Sequence, residues 1–172
     1  MTKRSQLPVI LILISFILVG TNTLAAEDQP VLVSIKRMSL DTVLKMGKAA
    51  IDMCRKKGVQ VAVTIIDRGG HPQLILRDTL AMDLSLEISR QKAYTAMTFN
   101  NATSKMTGRF TDPFSVGKVN GVLVAAGGLP ITASGTIIGG IGVSGAPSGE
   151  TDESCAQAGI DAVADDMEMS AM

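Results

Sequence analysis

Gly127-Gly128-Leu129-Pro130-Ile131 and, a few residues on, Gly139-Gly140-Ile141-Gly142-Val143-Ser144-Gly145-Ala146 form the stretch on which the fold turns. Glycines this dense inside an apolar, β-branched run mark strands whose backbone is approached closely by another backbone or by a ligand, because a side chain would block the approach. The stretch predicts two strands, Gly121 to Ala126 and Gly135 to Val143, around a turn and connection at Gly127-Gly128-Leu129-Pro130. Upstream, Leu84, Ile88, Ala93, Ala96 and Met97 recur at helical spacing from about Asp83 to Phe99. Before that, Gln60 to Asp67 and Gln73 to Arg77 flank Arg68-Gly69-Gly70-His71 as the arms of a hairpin. Ser39 reads as an N-cap and Asp41 as a first-turn acid of a helix that ends at Lys57 before Gly58. Its apolar stripe is Leu40, Val43, Leu44, Gly47 and Ile51. Val31 to Ile35 reads as a short strand, and Asp152 to about Met167 as the closing helix. The order helix, two strands, helix, two strands, helix predicts an α+β fold, a mostly antiparallel sheet with helices on its faces. Asn100 to Asn120 is polar and broken by Gly and Pro, a long loop of the kind that forms a lid or rim.

The first residues have a separate job. Lys3 and Arg4 precede an apolar run from Leu7 to Val19, and Thr23-Leu24-Ala25 supplies small residues for a cut after Ala25 or Ala26. A basic start, an h-region of about 7–15 residues and a small-residue cut are the parts of a secretory signal peptide, whereas a spanning helix needs about 20 apolar residues. Residues 1–26 are therefore expected to be removed, leaving 27–172 as one domain in the periplasm or outside the cell. Acidic and basic residues balance at 16 each and Trp is absent, so no basic face with stacking aromatics points to nucleic acid. Nothing in the mature part points to a membrane surface. Cys54 continues the apolar stripe of the first helix and Cys155 begins the last. Both read as buried thiols in preference to a disulfide, whose geometry is demanding, although an oxidising compartment would permit pairing.

His71 is the only histidine, so any imidazole–metal bond or imidazole base in this subunit uses it. It reads either as a polar turn residue after two glycines or as a metal-ligating imidazole at a hairpin tip. Arg77 and Asp78 close the second strand, and Lys92 lies among small residues on the next helix. Local charge pairing accounts for them; beside an apolar slot, Arg77 or Lys92 would instead suit a carboxylate. Backbone N–H groups around Gly127 and Gly128 are further candidate anion donors. Glu150-Thr151-Asp152-Glu153 offers closely spaced carboxylates for a hard or ferric ion, but reads more simply as an acidic helix start. Gly140, Gly142 and Gly145 have dinucleotide-loop spacing, but Pro147-Ser148-Gly149 stand where a helix would have to open.

Taken together, Asp67-Arg68-Gly69-Gly70-His71, Arg77-Asp78-Thr79-Leu80-Ala81, Lys92-Ala93-Tyr94-Thr95-Ala96, the glycine-rich strands and Asp152-Glu153-Ser154-Cys155-Ala156 resemble the GlcG/HbpS-like haem-binding family, which includes the C-terminal domain of PduO proteins. The resemblance runs from about Ser39 to about Ala164. It implies a profilin-like or roadblock-like α/β/α sandwich, assembly into a homo-oligomer, and a haem site with iron on His71, propionates on Arg77 or Lys92, and Gly127, Gly128 and Pro130 lining the same pocket. Tyr94, Thr, Met and Cys side chains are the other candidates for iron. The function implied is an exported haem-binding protein, acting in sequestration, sensing or degradation. The alternatives are a module or enzyme of the GlcG/PduO branch that handles a small carboxylate or a corrinoid, and a structural oligomer without a small-molecule ligand.

Overall fold

Ser39 starts the first helix: its side-chain oxygen accepts the Thr42 N–H at 3.2 Å, satisfying one of the donors that a helix start leaves orphaned. The structure, a computed structural model, describes residues 30–171. The expected leader, residues 1–26, lies outside the described residues. The unit that begins at Ile35 holds every helix and strand described here. These are α1 (Leu40–Lys56), β1 (Ala62–Asp67), β2 (Pro72–Arg77), α2 (Leu84–Phe99), β3 (Gly128–Ala133), β4 (Thr136–Ser144), α3 (Gly149–Asp161) and α4 (Ala164–Ala171). Among the described residues no helix is long and apolar enough to cross a membrane.

The strands form one antiparallel sheet in the order β2-β1-β4-β3. Alternation along β1 sends Val63 and Ile65 to one face, into a core with Val43 and Met46 of α1 and Cys155 and Ala156 of α3. Thr64 goes to the other face, where its hydroxyl is 2.8 Å from that of Ser89 on α2. The molecule is thus an α/β/α sandwich of the α+β class, with α2 alone on one face and α1 and α3 on the other.

The glycine-rich stretch makes this layering close. A Cβ added to Gly142 would overlap the Ser89 carbonyl oxygen, and one on Gly140 would lie 2.5 Å from that of Ala93. The backbone that approaches these strands is therefore α2. For the same reason α2 buries Ser85, Ser89, Ala93 and Ala96, small residues, while the expected Leu84 is exposed.

Five expectations are corrected. The third strand is Gly128–Ala133, not Gly121 to Ala126. Pro130 is tolerated inside it because β3 is an edge strand and Pro withholds a ladder N–H. The hairpin turn falls at Ser134 and Gly135, both with positive φ (46° and 72°), as a two-residue turn between antiparallel strands favours. Val31 to Ile35 forms no strand and is exposed, since apolarity alone supplies no partner for strand hydrogen bonds. The closing helix is two, broken after Asp161. Cys54 and Cys155 are not free thiols. They form a disulfide with Cα atoms 5.6 Å apart, within bridging range, because α1 and α3 pack side by side. Leu40 and Leu44 lie outside the buried face of α1, which runs instead through Met46 and Ala50.

Candidate functional site

The β1–β2 turn presents His71 on a closely bonded loop. Asp67 N–H donates to the His71 carbonyl at 2.9 Å and Gly70 N–H to the Asp67 carbonyl at 3.0 Å. The Asp67 carboxylate, 4% exposed, accepts the Gly69 and His71 N–H groups at 2.8 and 3.0 Å on Oδ1 and faces Arg37 at 3.1 Å on Oδ2. Burial acts to raise the Asp67 pKa, but those N–H groups and the Arg37 guanidinium outweigh it and hold the carboxyl below its ordinary value. The His71 side chain is 79% exposed, its Nδ1 3.6 Å from Asp67 Oδ1. Arg68 reaches the same corner, donating to the Ile137 carbonyl at 3.1 Å. The tip thus offers an accessible imidazole next to a carboxylate that is itself paired with Arg37, and an imidazole is the commonest metal-ligating side chain.

The other end of the sheet holds a cleft of about 680 Å³ between the start of α2, the segment 123–126 and the start of α3. Its walls are largely apolar, Met82, Leu84, Ile88, Leu123 and Val124 among them. At its base Lys92, 5% exposed, donates to Asp152 Oδ2 at 2.8 Å and to the Val143 carbonyl at 3.0 Å. Asp152 Oδ1 accepts the Ala146 N–H at 3.0 Å. Burial pushes the Asp152 carboxyl above its ordinary value, against the pull of Lys92 and of that N–H. The pair ties α2, β4 and α3 together.

The residues singled out from the sequence do not meet in one pocket. His71 stands at the Asp67/Gly139 end of the sheet, whereas Arg77, which pairs with Ala62, stands at the Ala62/Ser144 end; six strand steps separate them by roughly 20 Å. Arg77 lies on edge strand β2, its Nη1 3.4 Å from the Ala81 carbonyl and 3.9 Å from Asp83. Lys92 is not available to a ligand carboxylate, because Asp152 already neutralises it. Nor are the N–H groups of Gly127 and Gly128 free anion donors: they go to Glu153 Oε2 at 3.4 Å and Thr103 Oγ1 at 2.9 Å. Pro130 is half-buried on β3 opposite Gly140. The sequence reading missed the roles of Asp67, Arg37 and Asp152. The first stands four residues before His71, and the last shares a motif with Cys155, its acidity reading locally as that of a helix start. Among the described residues no three His, Cys, Asp or Glu side chains gather to hold a metal.

The four-stranded antiparallel sheet with α2 on one face and α1 and α3 on the other is a fold that known proteins share. The family model described as haem degrading protein HbpS-like matches residues 38–161, and the chain belongs to this HbpS-like family. The crystal structure of HbpS is 37% identical, with a TM-score of 0.72 over 76% of this chain and 92% of that one; a double mutant of the Streptomyces reticuli protein gives the same TM-score. A structure entitled PduOC:Heme complex is 28% identical at TM-score 0.67, covering 74% of this chain and 95% of that one. An uncharacterised 15.0 kDa protein of Citrobacter freundii is 30% identical over 64% of this chain and 82% of its own length. The corrinoid adenosyltransferase PduO of Salmonella typhimurium is 28% identical over 73% of this chain, which spans only 39% of that protein.

Proposed function

We propose that this chain is an exported haem-binding protein whose iron ligand is the imidazole of His71. Its likeness to a relative solved in complex with haem carries the reading. The hairpin tip supports it with an exposed imidazole for iron. Bound there, haem would supply an iron centre for sequestration, sensing or degradation, each of which begins with binding. Export is supported by the leader-like residues 1–26 and by the Cys54–Cys155 bridge, since disulfides persist in oxidising compartments. Titration of the mature protein with haemin tests the reading: a saturable Soret band is expected, shifted and weakened in folded His71→Ala. No Soret change in the wild type removes haem binding, and an unchanged band in the variant removes His71 as ligand. Assembly into a closed homo-oligomer belongs to the same proposal; light scattering that gives a monomer mass at micromolar concentration removes it.

The cleft favours a second ligand reading, a corrinoid, in keeping with the PduO relatives. Its volume lies in the range of small-molecule sites, and among the described residues the only cation lining it is the paired Lys92, which disfavours a small carboxylate. Saturable quenching of protein-attached fluorophore by cobalamin, unaffected by His71→Ala, is the outcome that would support it.

A further inference from the structure

The surroundings of the two nitrogens of His71 differ sharply. On the Nδ1 side the Asp67 carboxylate is held from three directions, by the Gly69 and His71 N–H groups on Oδ1 and by Arg37 on Oδ2, so it cannot turn from the ring. Gly69 leaves the space the ring occupies: a Cβ there would lie 2.9 Å from Nδ1 and 3.3 Å from Cε1. The side chain is otherwise 79% exposed. At 3.6 Å the Nδ1–Oδ1 separation is longer than a hydrogen bond, yet it is close enough for the carboxylate to attract an N–H dipole and to repel a lone pair. A neutral imidazole must place one of each on its two nitrogens.

We propose that Asp67 is a positioning residue that holds neutral His71 in the Nδ1–H tautomer, so that the Nε2 lone pair faces solvent as the metal-accepting atom. A carboxylate behind a metal-binding imidazole fixes tautomer and ring orientation in this way. The assignment of iron rests on the proposed function; the tautomer does not, because it is a property of the unliganded chain.

Because the chain has one histidine, a long-range ¹H–¹⁵N correlation on ¹⁵N-histidine-labelled protein, taken above the imidazole pKa, reads the tautomer without ambiguity. Wild type is expected to show Nδ1 protonated and Nε2 bare. Asp67→Asn keeps the acceptor oxygen and removes the charge, and is expected to revert the ring to the Nε2–H form that free imidazole prefers. Should that variant not fold, Gly69→Ala decides: Gly69 is not among the positive-φ glycines, and its added methyl displaces the ring from Asp67. An Nε2–H majority in wild type, or an unchanged Nδ1–H tautomer in the folded variant, overturns the proposal. Where haemin binds, Asp67→Asn is expected to weaken it about 10–100-fold. An Nδ1–H wild type with no Soret band sustains the role of Asp67 and removes only the haem reading.

Discussion

Lys92 and Asp152 form a buried ion pair, 2.8 Å apart, that joins the middle of α2 to the first turn of α3. Removing one partner leaves the other charged in a site with little water, a change that costs about 3–5 kcal/mol. Lys92→Met is therefore expected to lose that much stability in urea unfolding at neutral pH, and Lys92→Met with Asp152→Asn to regain most of it. The sign with pH follows from burial, which raises the Asp152 pKa. A carboxyl that binds its proton more tightly when folded favours the folded state at low pH and loses that advantage as pH rises through its folded pKa. The deficit of Lys92→Met should accordingly shrink on acidification.

Gly142→Ala tests whether the glycines serve helix packing. The methyl would meet the backbone of Ser89, which cannot swing aside as a side chain can. A loss of at least about 3 kcal/mol, the upper range for overpacking, is expected in denaturant unfolding. A change near zero would show that α2 stands farther from the sheet.

The disulfide closes a loop of sequence separation 101, for which chain-entropy arguments give roughly 4.7 kcal/mol of stabilisation. Replacing Cys54 and Cys155 together by Ala is expected to cost roughly 2–5 kcal/mol and to leave the fold recognisable by circular dichroism.

Asp78 lies at the end of β2 and receives Arg55 through two bonds of 2.7 and 2.8 Å. The Arg55 hydrogen bond, opposed by burial and aided by the Thr79 N–H, holds the Asp78 carboxyl below its ordinary value. A depressed folded pKa means stability that is present above the unfolded value, about 3.9, and lost as pH falls through the folded one. Asp78→Asn should therefore be less stable than wild type by a constant margin above about pH 4, and the two should converge in more acid solution.

The first helix and the first hairpin are legible because each carries a local signal: Ser39 as cap, Gly58 as stop, and β-branched or apolar runs on either side of Arg68-Gly69-Gly70-His71. The second hairpin was misplaced because Gly127-Gly128 and Pro130 look like turn residues in isolation. Only the position of β3 at the edge, and of α2 over the glycines, makes them strand residues. The site was less legible than the fold. His71 was identifiable as a lone imidazole, but six residues of strand carry Arg77 away from it, and nothing local to Lys92 reveals that Asp152, 60 residues on, will neutralise it. Pairings at such separation are properties of packing, as is the bridge between Cys54 and Cys155.

That bridge has a consequence for how the chain can be broken. It fastens the first helix to the third, and the whole sheet lies between them in sequence. A protease that cuts once in the long segment after α2 therefore releases nothing: both pieces remain one covalent molecule, of nearly unchanged mass until a reductant is added. Where no reductant is present, a nicked copy would keep its halves at molecular distance and could close again around the same sheet.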